Sequence, residues 1–250
     1  MNILVCISHV PDTTSKINFT DDNTKFDTNG VQFVINPNDE FGLTRAMWFK
    51  EKQGAQVTVV NVGGPETEPT LRKALAIGAD SAIRVNTPAK DGYQVAKELA
   101  KVVKDGGYDL VIAGRESIDY NGAMVPGMLA ALTDSNFVTN CISLEIDTST
   151  SSVTAMREID GGKETVSTSL PLVIGGQKGL VEESDLRIPN MRGIMMARKK
   201  PLNVVEPTDA STETESVKFE KPVPKGDVTL VDADNLDELI NLLHNEAKAI

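Results

Sequence analysis

The chain has 250 residues, of which 40% are hydrophobic, and its formal net charge at pH 7 is −11. A chain of this length and composition can bury a core, so we expect one α/β domain, or one domain with an appendage, rather than a disordered polymer. The acidic balance disfavours nucleic acids and anionic membranes as general partners, because such surfaces are held by Lys and Arg, so any bound phosphate needs a local site.

Four short apolar runs predict the strands in the first half of the chain. They alternate with amphipathic segments, which is the βαβ pattern of a parallel sheet covered by helices on both faces. The runs are almost continuously apolar, as strands buried on both faces should be. The predicted strands are residues 3–7, 57–62, 82–85 and 110–113.

The segments between and after these strands predict helices. Residues 39–53 begin with Asp39 and Glu40, whose charges complement the dipole of the first turn, and Gly54 ends the helix. Similar start and stop residues predict helices at about 66–77 and about 93–104, and an apolar helical run covers about 125–132.

The pattern changes after Leu132. Residues 153–159 and 164–170 are strand-like, and the turn between them, Asp-Gly-Gly-Lys, favours a hairpin because glycine accepts a positive φ without steric cost. Residues 208–216, rich in Thr, Glu and Ser, are expected to form a mobile linker. The tail, 235–249, predicts a last helix with an apolar stripe that should pack on a neighbour, formed by Leu236, Leu239, Ile240, Leu242 and Leu243.

The few cysteines and histidines argue against several kinds of site. Cys6 and Cys141 form no Cys-x-x-Cys pair and have no nearby histidine, so neither a disulfide nor a metal site is indicated. With only His9 and His244 the chain is poor in general bases, so we predict no catalytic residue, and enzymatic chemistry is the weaker interpretation. The chain starts without leader features and has no run long enough to span a bilayer, so we expect a cytoplasmic protein without membrane insertion.

A candidate ligand site lies in the loop 114–122. This loop follows the predicted strand 110–113 and precedes the predicted helix 125–132. Open α/β sheets bind ligands at such strand–loop–helix junctions, because the N–H groups of the loop and of the helix N-terminus converge on an anion. The alternative is an ordinary βα connection.

Three other turns should open at the same edge if the sheet is parallel. They are residues 8–11 after the first strand, residues 63–64 after the second, and residues 36–39 before the first helix. In the last of these, Asn38 suits a helix N-cap and Asp39 a first-turn acid, so a purely structural role fits them equally well.

A long motif occurs at the predicted hairpin. Residues 157–164, REIDGGKE, and residues 170–174, LPLVI, closely resemble the signature of electron transfer flavoprotein beta subunits. Gly175 departs from the Thr, Ala, Ser or Cys usual at that position. Further blocks resemble the same family in the same order, at residues 36–40, 70–80, 114–119 and 194–201.

This resemblance implies a fold and a division of the chain. Residues 1–200 would form a three-layer, Rossmann-like α/β domain with a parallel sheet, related to the adenine-nucleotide alpha-hydrolases. That domain would include the hairpin, 153–174, and a recognition loop at about 180–198. Residues 201–250 would form a C-terminal arm and helix that pack on the alpha subunit.

The resemblance also implies cofactors. Redox-active FAD would be held mainly by the alpha subunit, and the strand-end cleft of this chain would hold AMP or, in electron-bifurcating relatives, a second FAD. Main-chain N–H groups, a helix dipole and Arg115 would bind the phosphate, and main-chain contacts should survive where Tyr-Asn-Gly at 120–122 departs from the family's acidic or Thr-containing versions. The family's contacts map onto Cys6, Asn36, Pro37, Asn38, Asp39, Gly63, Gly114, Arg115, Ser117, Asp119, Asn121, Gly122, Ala123, Met124 and Val125.

Partner recognition would fall to the loop 180–198. Met191 aligns best with the apolar residue that the family inserts into a pocket on acyl-CoA or other flavin dehydrogenases, with Ile194 and Met195 beside it. Methionine suits this role because it is unbranched and adaptable, and the alternative is a core methionine. The basic cluster 198–200 is interpreted as a solvated face, with docking of an acidic partner as the alternative.

The implied function is that of the beta subunit of a heterodimeric electron transfer flavoprotein, which shuttles electrons from dehydrogenases to an acceptor. An electron-bifurcating variant stays open. A nucleotide-hydrolysing enzyme of the same fold would need a Ser-Gly-Gly-x-Asp-Ser loop after the first strand, or a Gly-x-x-Gly series ending in Gly-Ser before a helix. Neither pattern is present, and Ser-His-Val-Pro-Asp at 8–12 follows the first strand. A third possibility is a purely structural partner subunit that binds no nucleotide.

Overall fold

The computed structural model describes residues 1–208 and 211–250, and the strands in this part of the chain form three sheets. In chain order they are β1 (Asn2–Cys6), β2 (His9–Pro11), β3 (Phe19–Thr20), β4 (Lys25–Phe26), β5 (Phe33–Ile35), β6 (Gln56–Val62), β7 (Ser81–Val85), β8 (Leu110–Gly114), β9 (Asn136–Asp147), β10 (Ser152–Ile159), β11 (Gly162–Ser169), β12 (Leu172–Gly176) and β13 (Leu202–Val205).

The largest sheet has nine strands in the order β11-β10-β9-β12-β8-β1-β6-β7-β13. The strands from β9 to β13 in this order run parallel, whereas β10 is antiparallel to both of its neighbours. The other two sheets are the small antiparallel pairs β2–β5 and β3–β4. Because parallel strands all end at one edge, the turns after β1, β6 and β8 share the same side of the molecule.

Helices cover both faces of the large sheet. Phe41 and Leu71 belong to one core cluster with Ile3 of β1, while Leu99 and Leu129 belong to a second cluster on the opposite face. The predicted three-layer α/β fold is therefore confirmed. The helices are α1 (Pro37–Gln53), α2 (Glu68–Ile77), α3 (Gly92–Gly106), α4 (Val125–Leu132), α5 (Met191–Ala197) and α6 (Leu236–Asn241), with one π-helical turn at Leu242–Glu246 and 3₁₀ turns at Pro65–Thr67 and Glu183–Asp185.

The predicted strands, the first four predicted helices and the hairpin are present with small shifts of their ends. Three strands of the large sheet, β9, β12 and β13, were not predicted as strands. In β9 the register shifts where Asn140 has a φ of 50°, which breaks the apolar alternation that marks a strand. β13 is a short edge strand that lies beyond residue 200, so the sheet continues past the predicted end of the domain.

The C-terminal segment differs from its prediction in two ways. Within the predicted linker 208–216, residues 209 and 210 lie outside the described part of the chain, and three of the others are hydrogen-bonded to α3 or to its N-cap residue, Asp91. The side chain of Glu98 accepts hydrogen bonds from Thr208, and Asp91 Oδ2 accepts them from the N–H groups of Glu213 and Thr214. The last helix is shorter than predicted, and its stripe is exposed, with Leu236 62% accessible. Leu236, Leu239 and Ile240 are thus left open in the described chain, whereas Leu242 and Leu243 are half-buried.

None of the helices in residues 1–208 and 211–250 combines the length and the hydropathy needed to cross a bilayer.

Candidate functional site

Asp39 joins two of the predicted turns at the carboxyl edge of the sheet. Its carboxylate accepts a hydrogen bond from the N–H of Ser8, 2.7 Å away, and another from the N–H of Gly114, 2.8 Å away. Ser8 follows β1 and Gly114 ends β8, while Asp39 lies in the first turn of α1. The turns after β1 and β8 and the start of α1 therefore meet at one carboxylate.

Two asparagines before and within α1 extend this junction into the loop after β8. The side-chain amides of Asn36 and Asn38 both donate to the carbonyl of Glu116, at 3.0 and 3.1 Å, and Asn36 Oδ1 accepts from the N–H of Ile118 at 3.2 Å. Asn38 makes no side-chain cap of α1, so the predicted N-cap role is wrong. Its amide reaches across to the loop instead, because that loop offers a main-chain carbonyl.

The junction is buried and carries unusual protonation properties. Asp39 is only 2% accessible, and burial raises the pKa of its carboxyl to about 7, although hydrogen bonds from Ser8, Asn36 and Gly114 oppose the rise. Burial, with the nearby Asp39 as a smaller cause, also raises the pKa of the Cys6 thiol. Cys6 is thus a neutral thiol at physiological pH, and it contributes packing at the end of β1.

The loop after β8 is exposed from Asp119 onward. Residues 121–124 are exposed, and both Asn121 and Ala123 have positive φ angles, 49° and 51°. Within the described chain, the N–H groups of residues 122–125 donate to no protein acceptor. Because they stand at the start of α4, they are the free donors that an anion would find at this edge.

The side chain of Arg115 is paired with two neighbouring side chains. Its guanidinium pairs with the Glu116 carboxylate at 2.7 Å and donates to Gln177 Oε1 at 3.2 Å. Ser117 contributes its carbonyl, which accepts from the N–H of Asn121 at 2.8 Å. Glu116 offsets the charge of Arg115, so the free main-chain donors are better suited to an anion than this side chain.

The turn after β6 offers fewer free main-chain groups to a ligand than its two glycines predicted. The N–H of Gly63 donates to Val85 and its carbonyl accepts from Arg84 Nη1, both at 3.0 Å, so neither main-chain group is offered to a ligand. Sequence reasoning missed Asn61, whose buried amide donates to the carbonyl of Ile7 at 2.8 Å and ties β6 to β1. A single polar residue within the apolar run of β6 was the available signal.

His9 lies at the rim of the same edge. Its ring stacks on Phe33 with centroids 4.4 Å apart, and its Nδ1 lies 2.8 Å from the hydroxyl of Thr70. Burial lowers the pKa of His9, against the opposing charges of Glu66 and Asp119. The histidine is therefore neutral at physiological pH and holds the small β2–β5 sheet against α2.

The predicted recognition residues form one exposed helix, α5. Met191 is 74% and Met195 67% accessible, and Ile194 is also exposed, so the core-methionine alternative is wrong. The cluster 198–200 is only partly solvated, because Lys200 Nζ donates to the carbonyls of Leu75 and Ala79 at 2.9 and 2.6 Å. Lys200 is a helix-capping residue, whereas Arg198 and Lys199 face solvent.

The described residues contain no group of three or more His, Cys, Asp or Glu side chains placed to hold a metal ion.

Comparison of the chain with known proteins identifies its family. The model of the electron transfer flavoprotein domain matches residues 23–210. The electron transfer flavoprotein subunit beta of Bacillus subtilis is 34% identical over the whole of both chains. The subunits of the same name from Dictyostelium discoideum and Homo sapiens are each 33% identical, and the alignments cover 96% and 86% of this chain and 97% and 85% of theirs. The chain belongs to the electron transfer flavoprotein family.

Within the electron transfer flavoprotein family this chain is a beta subunit, since the relatives that match it along its full length are beta subunits. The matched region contains the loop after β8, the hairpin β10–β11 and α5. The resemblance read from the hairpin signature is confirmed.

Proposed function

We propose that this beta subunit forms a heterodimer with an electron transfer flavoprotein alpha subunit and binds AMP at the carboxyl edge of its sheet. The main support is that the turns after β1 and β8 meet the start of α1 at Asp39, through Ser8 and Gly114. Beside this junction lies a loop whose N–H groups at 122–125 are free. Such an edge fits an adenosine phosphate, because free main-chain donors at a helix start suit its anion.

The anion of the nucleotide is assigned to the N-terminus of α4. The N–H groups of Ser8 and Gly114 already donate to Asp39, so residues 122–125 supply the donors. The net charge of −11 gives no general attraction for a phosphate, and the local dipole of α4 has to provide it. Arg115 contributes less than its charge suggests, because Glu116 neutralises it.

The electron-carrying group is FAD, which supplies one- and two-electron chemistry when bound and which we assign mainly to the alpha subunit. The beta subunit is then an electron carrier and not an enzyme, working in the cytoplasm. A second FAD in place of AMP would use the same adenosine-phosphate chemistry, and counting the bound cofactors separates the two.

Two exposed apolar surfaces suit the two partners. The stripe of α6 around Leu236 is assigned to the alpha subunit, and the row of Met191, Ile194 and Met195 on α5 to an acyl-CoA or other flavin dehydrogenase. Both carry large apolar side chains that are exposed in the described chain. Such exposed apolar groups, rimmed by charge, are typical of protein contacts.

The test is co-expression with an alpha subunit, followed by cofactor analysis of the purified complex. The expected product is a yellow heterodimer with one FAD and one AMP, and no release of phosphate from added ATP. Two flavins would indicate the bifurcating variant. A colourless pair that does not associate would contradict the proposal. A complex without any nucleotide would indicate a purely structural subunit instead.

A further inference from the structure

The carboxylate of Asp39 occupies a position at the sheet edge where a bound anion would be expected. It lies in the first turn of α1, at the positive end of the helix dipole, and it faces main-chain donors after β1 and β8. Each carboxylate oxygen has one of these N–H groups as its partner. With 2% accessibility, the carboxylate is shut off from solvent.

The surrounding residues are fitted to this carboxylate. A Cβ on residue 114 would collide with Asp39 Oδ1, so glycine is required there for the close approach of the main chain. Asn36 and Asn38, on either side of Pro37, hold the next stretch of the loop through the carbonyl of Glu116. The loop after β8 is thus held at its start by Asp39 and further along by these amides.

We propose that Asp39 is a positioning residue for the nucleotide site: its carboxylate is a built-in anion that fixes the ends of β1 and β8, and AMP binds beside it without contacting it. This inference rests on the proposed function. It differs from a direct ligand role because the carboxylate is only 2% accessible and each of its oxygens already accepts from a main-chain N–H.

Removing the carboxylate charge should therefore weaken AMP binding from a distance. In Asp39→Asn the side chain keeps its size, but its amide N–H₂ faces one of the two main-chain donors and can no longer accept from it. The start of the loop is released, and the free donors at 122–125 lose their fixed placement. The main-chain N–H that loses its acceptor also becomes available to attract the phosphate to the wrong position.

A matched control exists at the opposite edge of the sheet. Asp80 Oδ2 accepts from the N–H of Val57 at 2.9 Å and Asp80 Oδ1 pairs with Lys50, so this carboxylate also ties a helix to a strand. Val57 lies at the amino-terminal end of β6, away from the candidate site. Asp80→Asn makes the same chemical change and should lower stability without changing AMP affinity.

The experiment measures AMP affinity by calorimetry on heterodimers stripped of AMP, together with the unfolding temperature. It is run at about pH 8, because burial raises the pKa of Asp39 to about 7 and the carboxylate is ionised above that pH. We expect Asp39→Asn to lose affinity by about tenfold or more, as for the loss of a hydrogen bond to a charged group, and Asp80→Asn to stay within about twofold of the wild type. Equal affinities of wild type and Asp39→Asn would overturn the inference alone. A wild-type complex that binds no AMP would overturn the proposed function as well.

A measurement on the wild type keeps the inference testable if the variant fails to fold. Hydrogen–deuterium exchange at the amides of Ser8 and Gly114 should be slow without AMP, because Asp39 already accepts from both, and AMP should change it little. The amides of residues 122–125 should exchange fast without AMP and slow on binding. Fast exchange at Ser8 and Gly114 that AMP slows would show that the ligand and not Asp39 takes these donors.

Discussion

Arg72 and Lys200 cap two neighbouring helices reciprocally. Arg72, on α2, caps the C-terminus of α5, and Lys200, which follows α5, caps the C-terminus of α2. Arg72 donates through Nη1 to the carbonyl of Ala197, the last residue of α5, at 2.9 Å, and to that of Lys200 at 3.0 Å. Lys200 donates in return to the carbonyls of Leu75 and Ala79 at the end of α2. Cations at helix C-termini meet both the free carbonyls and the negative end of the dipole. The reciprocal pair fixes α5 on α2.

Loss of this reciprocal cap should loosen α5. We expect Lys200→Ala to lower the free energy of unfolding by about 1–2 kcal/mol, because two charge-assisted hydrogen bonds are lost at a partly exposed site. Chemical denaturation measures this change, and limited proteolysis should show faster cleavage within 186–200. Lys199→Ala removes a neighbouring, exposed lysine and should do neither. Equal effects of the two substitutions would contradict the capping role.

A charge on the exposed row of α5 should weaken the encounter with a dehydrogenase. Met195 is 67% accessible, so Met195→Glu should leave the unfolding temperature almost unchanged. We expect it to raise the KM of a partner dehydrogenase for the flavoprotein about tenfold or more, because a buried apolar anchor contributes about 1–3 kcal/mol to such contacts. Steady-state reduction of the heterodimer measures this. Ile17→Glu, at another exposed apolar residue, serves as control, and an unchanged KM for Met195→Glu would assign recognition elsewhere.

Asp39 should make stability depend on pH in a direction opposite to that of an ordinary carboxylate. Its folded pKa of about 7 lies above the usual 3.8, so proton binding stabilises the fold below the unfolded pKa, and this stabilisation is lost as pH rises through about 7. Relative to Asp39→Asn, the wild type should gain roughly 2 kcal/mol between about pH 8 and about pH 5.5. The Cys6 thiol, with its raised pKa, stays neutral over this range. Parallel pH profiles of the two proteins would contradict the assignment.

Two truncations separate the sheet from the arm. Ending the chain after residue 216 keeps β13 and the contacts of Glu213 and Thr214 with Asp91, but removes α6. We expect this variant to fold, judged by far-UV circular dichroism, and to lose co-purification with the alpha subunit. Ending after residue 200 also removes β13, exposes the edge of β7, and should lower the unfolding temperature further. Retention of the alpha subunit by the 216-residue variant would place the interface elsewhere.

Local chemistry explains what the sequence determined by itself. Buried strands such as β1 and β8 are continuous apolar runs, the hairpin turn at 160–163 has its own glycines, and helix ends such as Gly54 have capping residues. Each of these signals depends on a few neighbouring residues, so it can be recognised from the sequence alone. The sequence also predicted that the candidate ligand-binding turns lie at one edge of the sheet, because parallel strands all end at the same edge.

Only the tertiary structure decided which groups at that edge are free. Asp39 meets Ser8 and Gly114 across 31 and 75 positions of the chain, and Lys200 meets Leu75 across 125. No local pattern encodes such pairs, because their energy arises when burial removes water from both partners at once. For the same reason the resemblance could name Asp39 at the site, but only the folded chain shows that its two oxygens accept from Ser8 and Gly114.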